Sequence, residues 1–407
     1  MRILFLLTQD LESPLGIGRI WPLAKELAKA GHQVRIVALH SRWSTLTERM
    51  FSKECVAIEY VGPMHVQKVG NRKLYYSMFG LIRVALLATW ALSRAALSES
   101  VDIIQVCKPQ PMNSIAGLLA RLIRGGVLCV DCDDYEAASN RFAAEWQRKV
   151  VAFFERNVPC IAQVVTTHTQ FMWDKLAGWG CLPERIHFLP NGVDQERFSP
   201  ARPEEVDALR KKLGMEERQV VAYLGTLSLA NHPVNLLLEA FTLLLKQLPQ
   251  VVLLLVGGGD DFERLKEMTW RSGIERAVVF AGRVAPGNVP LYYALADVTV
   301  DPVNDDDAAK GRLPLKMFES WAMGVPFITS PVGERLRLAG NPPASILAQP
   351  AGDAQALASA MQSVLISAEL AESFRRRGLE RVKDFSWDIL ARELEAVYLA
   401  ALREGDE

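Results

Sequence analysis

Residues 301–330 read DPVNDDDAAKGRLPLKMFESWAMGVPFITS. Pro314 suits the first turn of a helix because that position needs no amide donor. Gly324 is typical of a helix end, and the apolar run Val325–Thr329 predicts a buried strand. The helix between them is apolar over most of its circumference, which indicates that it lies inside the protein.

Two ionisable residues remain on this helix, Lys316 and Glu319. Charges on a buried helix raise the free energy of the fold unless another charge or a polar ligand compensates them. The two side chains could pair with each other at the i,i+3 spacing. Alternatively, they contact a polar ligand at the open end of a sheet. These residues alone leave both interpretations open.

The run GRLPLKMFESWAMGVPFI at 311–328 resembles the donor-site segment of the retaining glycosyltransferases with two Rossmann-like domains. This is the GT-B type, which includes glycosyltransferase family 4 and the glycosyl transferases of group 1. The resemblance implies that the helix N-terminus, at Leu315 and Lys316, receives the diphosphate of a nucleotide-sugar donor. It also implies that Glu319 holds the hydroxyls of the ribose.

The chain has 407 residues, which suits two domains of about 200 residues each. Its formal net charge of −1 gives no support for a nucleic-acid partner. The six cysteines lack metal-type spacing, and the CxxC pair Cys129 and Cys132 lies in a predicted strand, which favours a packing role. The N-terminal run does not fit a signal peptide, and no stretch of 18 apolar residues lacks charges. We therefore expect a reduced cytoplasmic location and no membrane-spanning segment.

The N-terminal residues predict a strand, a glycine loop, a helix and a second strand, and this order predicts a parallel sheet. The loop contains Gly16 and Gly18, but it lacks the third glycine of a dinucleotide signature. The segment also resembles the amino-terminal part of the same transferases. That resemblance implies that the backbone amides of Gly16 and Gly18 approach the donor diphosphate.

A cluster of acidic residues follows the predicted strand at 127–130. Residues two apart in a strand share a face, so Asp131 and Asp133 should point together at the carboxyl edge of the sheet. Four roles remain open: a divalent-metal site, a phosphoryl-accepting pair, catalytic residues on the acceptor side, or a loop in which Asp134 caps the next helix. The resemblance places Asp133 near the anomeric carbon of the sugar, where relatives often carry a histidine.

Residues 67–97 are first basic and aromatic and then strongly apolar. Such a segment suits a surface that rests on an anionic membrane, with apolar stems buried and charges at the lipid headgroups. The alternative is a long helix packed on the sheet, with a solvated basic start.

The run Pro190-Asn191-Gly192-Val193-Asp194 resembles the crossing between the two domains of these transferases. Pro190 and Gly192 are expected to shape the turn there. The resemblance predicts two doubly wound α/β domains that face each other across a cleft, with boundaries at 1–195 and 196–382. Residues 383–407 are predicted to form a helix that returns to the first domain.

The second domain departs from the family pattern. Thr226 follows Gly225 where relatives have an arginine, and Asn231-His232 lie near the position of a family lysine. The usual cationic clamp is therefore absent. Lys310, Arg312 and Lys316, on the loop and first turn of the predicted helix, are available as substitutes, since an arginine fork there could grip phosphate oxygens. Gly311 stands where relatives usually have a second glutamate. Contact with the sugar ring is therefore expected from one of the aspartates at 305–307. Arg283 is expected near the base.

The sequence thus predicts a hexosyltransferase that moves a sugar from a nucleotide-sugar to a hydroxyl of a glycan or lipid-linked acceptor, with retention. The resemblance implies a role in cell-envelope polysaccharide synthesis, in the cytoplasm or peripherally on the inner face of the membrane. No metal or cofactor is expected to be obligatory, because side chains and helix ends meet the phosphates. The alternatives are a non-catalytic nucleotide- or glycan-binding relative and a nucleotide-sugar epimerase. The expected catalytic residues are Asp133, Arg312 and Lys316, and the expected donor-binding residues are Gly16, Gly18, Gly225, Thr226, Arg283, Leu315, Lys316 and Glu319.

Overall fold

The computed structural model describes residues 1–405, apart from the side chains at positions 72 and 405. The chain divides into two compact units. Unit 1 contains residues 1–69, 73–191 and the C-terminal segment from Trp387, and unit 2 contains residues 70–72 and 192–386.

The strands are β1 (Arg2–Leu7), β2 (Gln33–His40), β3 (Met50–Lys53), β4 (Val56–Pro63), β5 (Val66–Val69), β6 (Arg72–Tyr75), β7 (Ile103–Cys107), β8 (Val127–Cys132), β9 (Val164–Thr167), β10 (Ile186–Phe188), β11 (Val220–Leu224), β12 (Val252–Val256), β13 (Val278–Gly282), β14 (Val298–Val300), β15 (Phe327–Thr329) and β16 (Ile346–Leu347). The helices are α1 (Trp21–Lys29), α2 (Met78–Ala96), α3 (Pro111–Arg124), α4 (Glu136–Ser139), α5 (Glu145–Ile161), α6 (Gln170–Gly178), α7 (Pro203–Lys212), α8 (Val234–Leu245), α9 (Phe262–Arg271), α10 (Val289–Tyr293), α11 (Asp307–Lys310), α12 (Leu315–Ala322), α13 (Arg335–Ala339), α14 (Ala354–Ile366), α15 (Ala368–Arg381) and α16 (Trp387–Gly405).

The sheet of unit 1 has the strand order β10-β9-β8-β7-β1-β2-β4-β3, and all its neighbours are parallel except β3 and β4. Alternate residues of β1 enter opposite cores, with Phe5 on the face covered by α1 and α16 and Leu6 on the face covered by α2 and α3. Both faces are therefore buried, as expected of a parallel sheet. The strand order reverses between β1 and β7, which defines the switch point of a doubly wound fold.

Unit 2 repeats this plan in a six-stranded parallel sheet of order β13-β12-β11-β14-β15-β16. Tyr223 points into the core beneath α8 and α14, whereas Ala222 points into the core that includes α12. The switch point lies between β11 and β14. Both units thus have the Rossmann-like strand order, which confirms the predicted fold class.

The C-terminal helix α16 belongs to unit 1 and packs against α1. Trp387, Leu390 and Leu394 join the core on that face of the sheet. The buried hydroxyl of Tyr398 donates a hydrogen bond of 2.7 Å to Gln105 Oε1 in β7. The contact fixes the last helix to the centre of the first sheet.

Several local details differ from the sequence predictions. A π-helical turn, Gly16–Ile20, precedes α1, and β15 begins only at Phe327. A disulfide joins Cys160 to Cys181, a pairing that their spacing along the chain did not indicate. Cys129 and Cys132 are buried in β8 and are not bonded to each other, in keeping with a packing role.

Among the described residues, one helix is long and apolar enough to cross a membrane by length and composition, and it is α2. The sequence led us to expect no such segment, because Arg83 and Arg94 interrupt it. One side of α2 packs inside unit 1 through Val84, Ala88 and Leu92. The opposite side is exposed.

Candidate functional site

Two loops of unit 2 begin at the switch point of its sheet. Gly225 follows β11, and Asp301 follows β14, which pairs with β11. Ligands of doubly wound folds bind outside the carboxyl ends of the strands at such a point. Lys316 of helix α12 lies at the same place. Its ammonium nitrogen is 2.9 Å from Asp301 Oδ1.

Asp301 is the carboxylate at the centre of a buried cationic cluster, which we call the Asp301 cluster and define as Asp301, Arg312, Lys316 and Arg335. Arg335 Nη2 lies 3.1 Å from Asp301 Oδ2, and both side chains are fully buried. Burial alone would raise the pKa of Asp301, but Lys316, Arg335 and Arg312 hold that pKa well below its usual range. Three cations thus surround one carboxylate, which leaves an excess of two positive charges. Buried charges in excess are costly unless an anion compensates them.

Arg312 is the member of the cluster with unused hydrogen-bonding groups. Its side chain is 8% exposed, and Nη1 donates to the backbone carbonyl of Asn231. Its Nε and Nη2 are buried and have no hydrogen-bond partner among the residues that the structure describes. Native proteins pair nearly all their buried polar groups, so these two nitrogen atoms indicate a place for an external acceptor.

Lys316 and Glu319 do not pair with each other. The ammonium of Lys316 binds Asp301 and lies 4.2 Å from the centre of the Tyr223 ring. Glu319 instead accepts a hydrogen bond of 2.6 Å from the hydroxyl of Tyr293. Burial raises the pKa of Glu319, and the bond from Tyr293 opposes that effect. The ion-pair interpretation is therefore wrong.

Glycines let the loops at this sheet edge approach each other closely. A Cβ atom at Gly225 would lie 3.2 Å from Lys316 Nζ and 3.2 Å from Tyr223 Oη. A Cβ atom at Gly257, after β12, would lie 1.9 Å from the carbonyl oxygen of Gly225. Any larger side chain at Gly257 would force these loops apart.

The other predicted donor residues of unit 2 lie on loops and helix ends of the same sheet. The carbonyl of Thr226 accepts a hydrogen bond of 2.9 Å from Tyr223 Oη. Leu315 is the first residue of α12, and no side chain caps that helix end. Arg283 follows β13 with its side chain exposed, and its backbone N–H donates to Asn71 Oδ1 at 2.9 Å. Asn71 lies in the short segment that groups with unit 2, a placement that its sequence position did not predict.

In unit 1, Arg19 uses all five of its N–H groups inside the protein. It forms a two-pronged bond to Asp131, with Nε 2.9 Å from Oδ2 and Nη2 2.8 Å from Oδ1. Its remaining donors bind the carbonyls of Leu189 and Pro190 and the side-chain oxygen of Asn191. We predicted a turn shaped by Pro190 and Gly192. Pro190 and Asn191 are anchored there by Arg19, which lies in the π-helical turn before α1.

Asp131 and Asp133 are both buried but contact different cations. Asp131 binds Arg19, whereas Asp133 Oδ1 lies 3.3 Å from Lys108 Nζ. Lys108 Nζ also lies 2.7 Å from Asp134 Oδ2 and 2.7 Å from Glu136 Oε1. Asp134 thus binds this ammonium and does not cap α4, whose N-cap residue is Tyr135.

The three carboxyl groups around Lys108 lie close enough to hold a metal ion, with ligand atoms within 4.8 Å of one another. The buried ammonium of Lys108 already brings a positive charge to them. Burial raises the pKa of Asp133 well above its usual range, and the nearby carboxylates raise it further, although Lys108 opposes them. The surroundings of Asp133 therefore disfavour its ionised form relative to an exposed aspartate.

The backbone of Lys108 is held in a conformation that residues with side chains rarely adopt. Its φ angle is +60°, in the left-handed region. Asn113 Nδ2 donates to the carbonyl of Lys108 at 3.0 Å and to that of Cys107 at 2.8 Å, which fixes this bend. Such strain is concentrated at functional sites.

The amide of Gly16 is bonded inside its own loop. Its N–H donates to Ser13 Oγ at 3.1 Å, and a Cβ atom there would lie 2.4 Å from the carbonyl oxygen of Asp10. The glycine is needed for close packing, and the predicted contact of its amide with the diphosphate stays a prediction. Gly18 is buried in the π-helical turn, and its donor contact stays a prediction.

Sequence reasoning missed Asp301, Arg335, Lys108 and Arg19 as partners of the predicted residues. A signal was present for two of them, because Asp301 and Lys108 are charged residues placed directly after apolar strands. Charged residues at the carboxyl ends of parallel strands are candidates for a site. No local signal identifies Arg335, which lies 34 residues after its partner.

Three neighbouring helices of unit 1, α2, α3 and α5, each expose apolar side chains. We call these side chains together the α2–α3–α5 surface. Trp90 is 62% exposed, Phe79 is 78% exposed and Leu122 is 82% exposed. The exposed apolar members of this surface are Phe79, Ile82, Leu86, Trp90, Leu122, Ile123, Trp146, Val150 and Phe153. Arg83, Arg94 and Arg124 are exposed on the same helices.

Family models match both units. The model of the "Glycosyltransferase Family 4" matches residues 19–197, and that of the "Glycosyl transferases group 1" matches residues 205–381. A curated relative from Mycobacterium tuberculosis, the GDP-mannose-dependent alpha-(1-6)-phosphatidylinositol monomannoside mannosyltransferase, is 29% identical over 212 residues. That alignment covers 51% of this chain and 54% of the relative. The chain thus spans about half the length of the curated relatives it matches.

Solved structures share the fold over the whole described chain. The sucrose-phosphate synthase of Thermosynechococcus elongatus matches with a TM-score of 0.78 and 19% identity, over 99% of this chain and 100% of that one. HepE of Anabaena in complex with UDP-glucose matches with a TM-score of 0.73 and 17% identity, over 98% of this chain and 100% of that one. Together with the two family matches, this fold shows that the chain belongs to the GT-B glycosyltransferases of the group 1 and family 4 type.

Proposed function

We propose that this protein is a glycosyltransferase that moves a sugar from a nucleotide-sugar donor to an acceptor hydroxyl, with retention of the anomeric configuration. The observation that carries the proposal is Arg312, with two buried side-chain nitrogen atoms that have no hydrogen-bond partner among the described residues. It lies in a cluster with an excess of two positive charges, formed with Asp301, Lys316 and Arg335. A diphosphate supplies both the negative charge and the acceptor oxygens that this arrangement lacks.

On the donor side, Arg312 and Lys316 bind the diphosphate, and the uncapped start of α12 at Leu315 adds backbone N–H groups. Glu319, one turn further along α12, accepts hydrogen bonds from the ribose hydroxyls. When the bond between the sugar and the phosphate breaks, negative charge develops on the diphosphate. Arg312 and Lys316 oppose that charge in a buried setting, where electrostatic stabilisation is large.

Three further residues border the donor in this proposal. Gly225 and Thr226 leave β11 beside Lys316, and Gly225 is small enough to leave space next to the ammonium. Arg283, after β13, lies near the base. These roles rest on their position at one edge of the unit 2 sheet.

In unit 1, Asp133 is the group that we assign to the reacting carbon of the sugar. In its protonated form it can donate a hydrogen bond to a sugar oxygen. Lys108 holds it together with Asp134 and Glu136. We propose no obligatory metal ion or cofactor, because Lys108 in unit 1 and the cationic side chains in unit 2 provide the charges.

We propose a glycan or lipid-linked acceptor and a location on the cytoplasmic face of the membrane. The M. tuberculosis relative acts, by its name, on a phosphatidylinositol monomannoside. Residues 67–97 and the rest of the α2–α3–α5 surface expose apolar side chains beside arginines, which suits an anionic lipid surface. A role in cell-envelope polysaccharide synthesis would follow from such an acceptor.

The direct test is a thermal-shift panel with UDP, GDP, ADP and TDP sugars. A ligand present at a hundred times its Kd should stabilise the protein by about 2.7 kcal/mol. We expect one nucleotide class to raise Tm clearly, and no shift with any of them would contradict the proposal. Proton NMR of the sugar released from the bound donor then reports retention, because the first anomer formed keeps the configuration of the donor.

A non-catalytic nucleotide-binding protein is the second candidate. It is favoured by Thr226 and Gly311, which replace the arginine and the glutamate of relatives. Such a protein would bind a nucleotide-sugar without breaking it. Slow hydrolysis of the donor in the absence of an acceptor would exclude it, provided that Arg312→Gln abolishes the hydrolysis.

A further inference from the structure

His232 lies beside the Asp301 cluster, in the turn between β11 and α8. Its neighbour Asn231 accepts a hydrogen bond from Arg312 Nη1. The backbone of His232 is fixed on both sides, since its N–H donates to Ser228 at 3.0 Å and its carbonyl accepts from Val234 at 2.7 Å. The main chain at His232 is thus fixed, and Arg312 is among the cations whose charge acts on its ring.

The Nδ1 atom of this imidazole is buried and has no hydrogen-bond partner among the described residues. The Nε and Nη2 atoms of Arg312 are also buried and also have no hydrogen-bond partner among the described residues. Three buried polar atoms of His232 and Arg312, two side chains whose charges interact, therefore lack partners among the described residues. One external ligand with several acceptor oxygens could satisfy them together.

The charges around His232 are those of the Asp301 cluster. Arg312, Lys316 and Arg335 are positive, and Asp301 is the one negative group among the charges that act on this ring. Burial lowers the pKa of His232 most strongly, and the three cations lower it further against the effect of Asp301. These surroundings therefore favour the neutral ring in the protein without ligand.

We propose that His232 is a ligand of the donor diphosphate and that it takes up a proton from solvent when the diphosphate binds. This inference rests on the proposed donor site. The two negative charges of the diphosphate offset the excess positive charge of the cluster, and its oxygens accept a hydrogen bond from the ring; both effects raise the pKa of the ring against the effect of its burial. The protonated ring donates a hydrogen bond to a phosphate oxygen. When the bond from the sugar carbon to oxygen breaks, the electron pair stays on the phosphate oxygen, and the imidazolium opposes the added charge.

Donor binding should then depend on pH in a definite direction. At a pH between the pKa of His232 in the unliganded protein and its higher pKa in the complex, donor binding takes up as much as one proton. Affinity should increase as the pH falls from 8 to 6. A lysine at this position would carry a permanent charge, so it should bind the diphosphate without taking up a proton.

The experiment is isothermal titration calorimetry with UDP-glucose and GDP-mannose at pH 7, in buffers that differ in ionisation enthalpy. Nucleotide-sugars are suitable because their diphosphate has no group that titrates near neutral pH. The variants are His232→Gln, His232→Lys and, as a matched control in unit 1, the half-buried His187→Gln. Thermal melting of each variant shows whether it is folded.

We expect proton uptake for the wild type and for His187→Gln, and none for His232→Gln or His232→Lys. His232→Gln should also bind about tenfold more weakly, as expected for one hydrogen bond to a charged group. Equal proton uptake by the wild type and folded His232→Gln would overturn the inference and leave the donor site intact. If neither nucleotide-sugar bound the wild type, the proposed function would fail and the inference with it.

Discussion

The ammonium of Lys316 lies 2.9 Å from a carboxylate oxygen of Asp301, which follows the neighbouring strand β14. Asp301 is fully buried, and it also forms an ion pair with Arg335. The pair therefore neutralises only part of the positive charge at the switch point of unit 2. This residual charge is what makes the place suitable for a diphosphate.

Replacing Asp301 should leave its cations without a carboxylate. Asp301→Asn is expected to lower the free energy of unfolding by about 3–5 kcal/mol, as for other broken buried ion pairs. Thermal melting would measure the change. The control is Asp305→Asn, which removes an exposed partner of Lys310 and should change stability by less than about 0.5 kcal/mol. Equal melting temperatures for the two variants would exclude Asp301 as the central carboxylate.

Glu319 should act on the nucleoside part of the donor and not on its phosphates. Glu319→Gln is expected to weaken binding of a nucleoside diphosphate by about 1–3 kcal/mol, because it loses charge-assisted hydrogen bonds to the ribose. Inorganic pyrophosphate, which has no ribose, should bind the variant as it binds the wild type. Calorimetry with both ligands measures the difference. A parallel loss for pyrophosphate would show that Glu319 acts through the cluster instead.

Glu155 should make unit 1 less stable as the pH rises. Burial raises its pKa to about 8, and the charge of Glu136 adds to the effect against the hydrogen bonds that Glu155 accepts from the N–H groups of Glu136 and Ala137. Between its ordinary pKa of about 4.3 and that value, the folded protein binds a proton that the unfolded chain has lost, so stability falls with rising pH.

The expected loss from Glu155 is on the order of 3–5 kcal/mol between pH 5 and pH 9. Melting curves across this range measure it. Glu155→Gln should flatten the decline, at a cost of about 1 kcal/mol at pH 5 for the hydrogen bond that one amide oxygen cannot replace. A variant with the same slope as the wild type would show that another group titrates.

Membrane association should depend on the exposed face of α2. Leu86→Glu combined with Trp90→Glu places two negative charges on the α2–α3–α5 surface. We expect at least a tenfold loss of binding to vesicles that contain phosphatidylglycerol, because apolar contact is lost and anionic headgroups repel the new charges. Trp270→Glu changes a tryptophan of unit 2 that is 71% exposed and serves as the matched control. Sedimentation in which all three proteins bind equally would refute this surface, as would a wild type that does not bind.

Local signals were enough to predict the elements of the fold. Pro314 and Gly324 bound α12 to within a residue or two, because proline and glycine act through the backbone of their own turn. The strand, glycine loop and helix at the N-terminus likewise predicted the parallel sheet. The π-helical turn at Gly16–Ile20 was not predictable, since it depends on the packing of Gly16 against Asp10.

The partners of the site residues could not be predicted in the same way. Lys316 has Glu319 as its nearest acidic neighbour along the helix, yet it binds Asp301, 15 residues earlier. Lys108 binds the carboxylates of Asp134 and Glu136, which follow it by 26 and 28 residues. These pairings depend on which strand ends the sheet places side by side, and one sequence does not specify that order. Lys316 and Glu319 were predicted as site residues from the family resemblance, whereas their contacts depend on the tertiary structure.

The central claim is that Arg312 and its cluster bind a diphosphate, and binding of inorganic pyrophosphate to unit 2 residues tests it most directly. The variants are Arg312→Gln and the matched control Arg210→Gln, since Arg210 also donates to backbone carbonyls but lies outside the cluster. Calorimetry should show that Arg312→Gln loses about 1.5–3 kcal/mol of binding free energy, whereas Arg210→Gln binds like the wild type. Equal pyrophosphate affinity for folded Arg312→Gln and the wild type would contradict the claim.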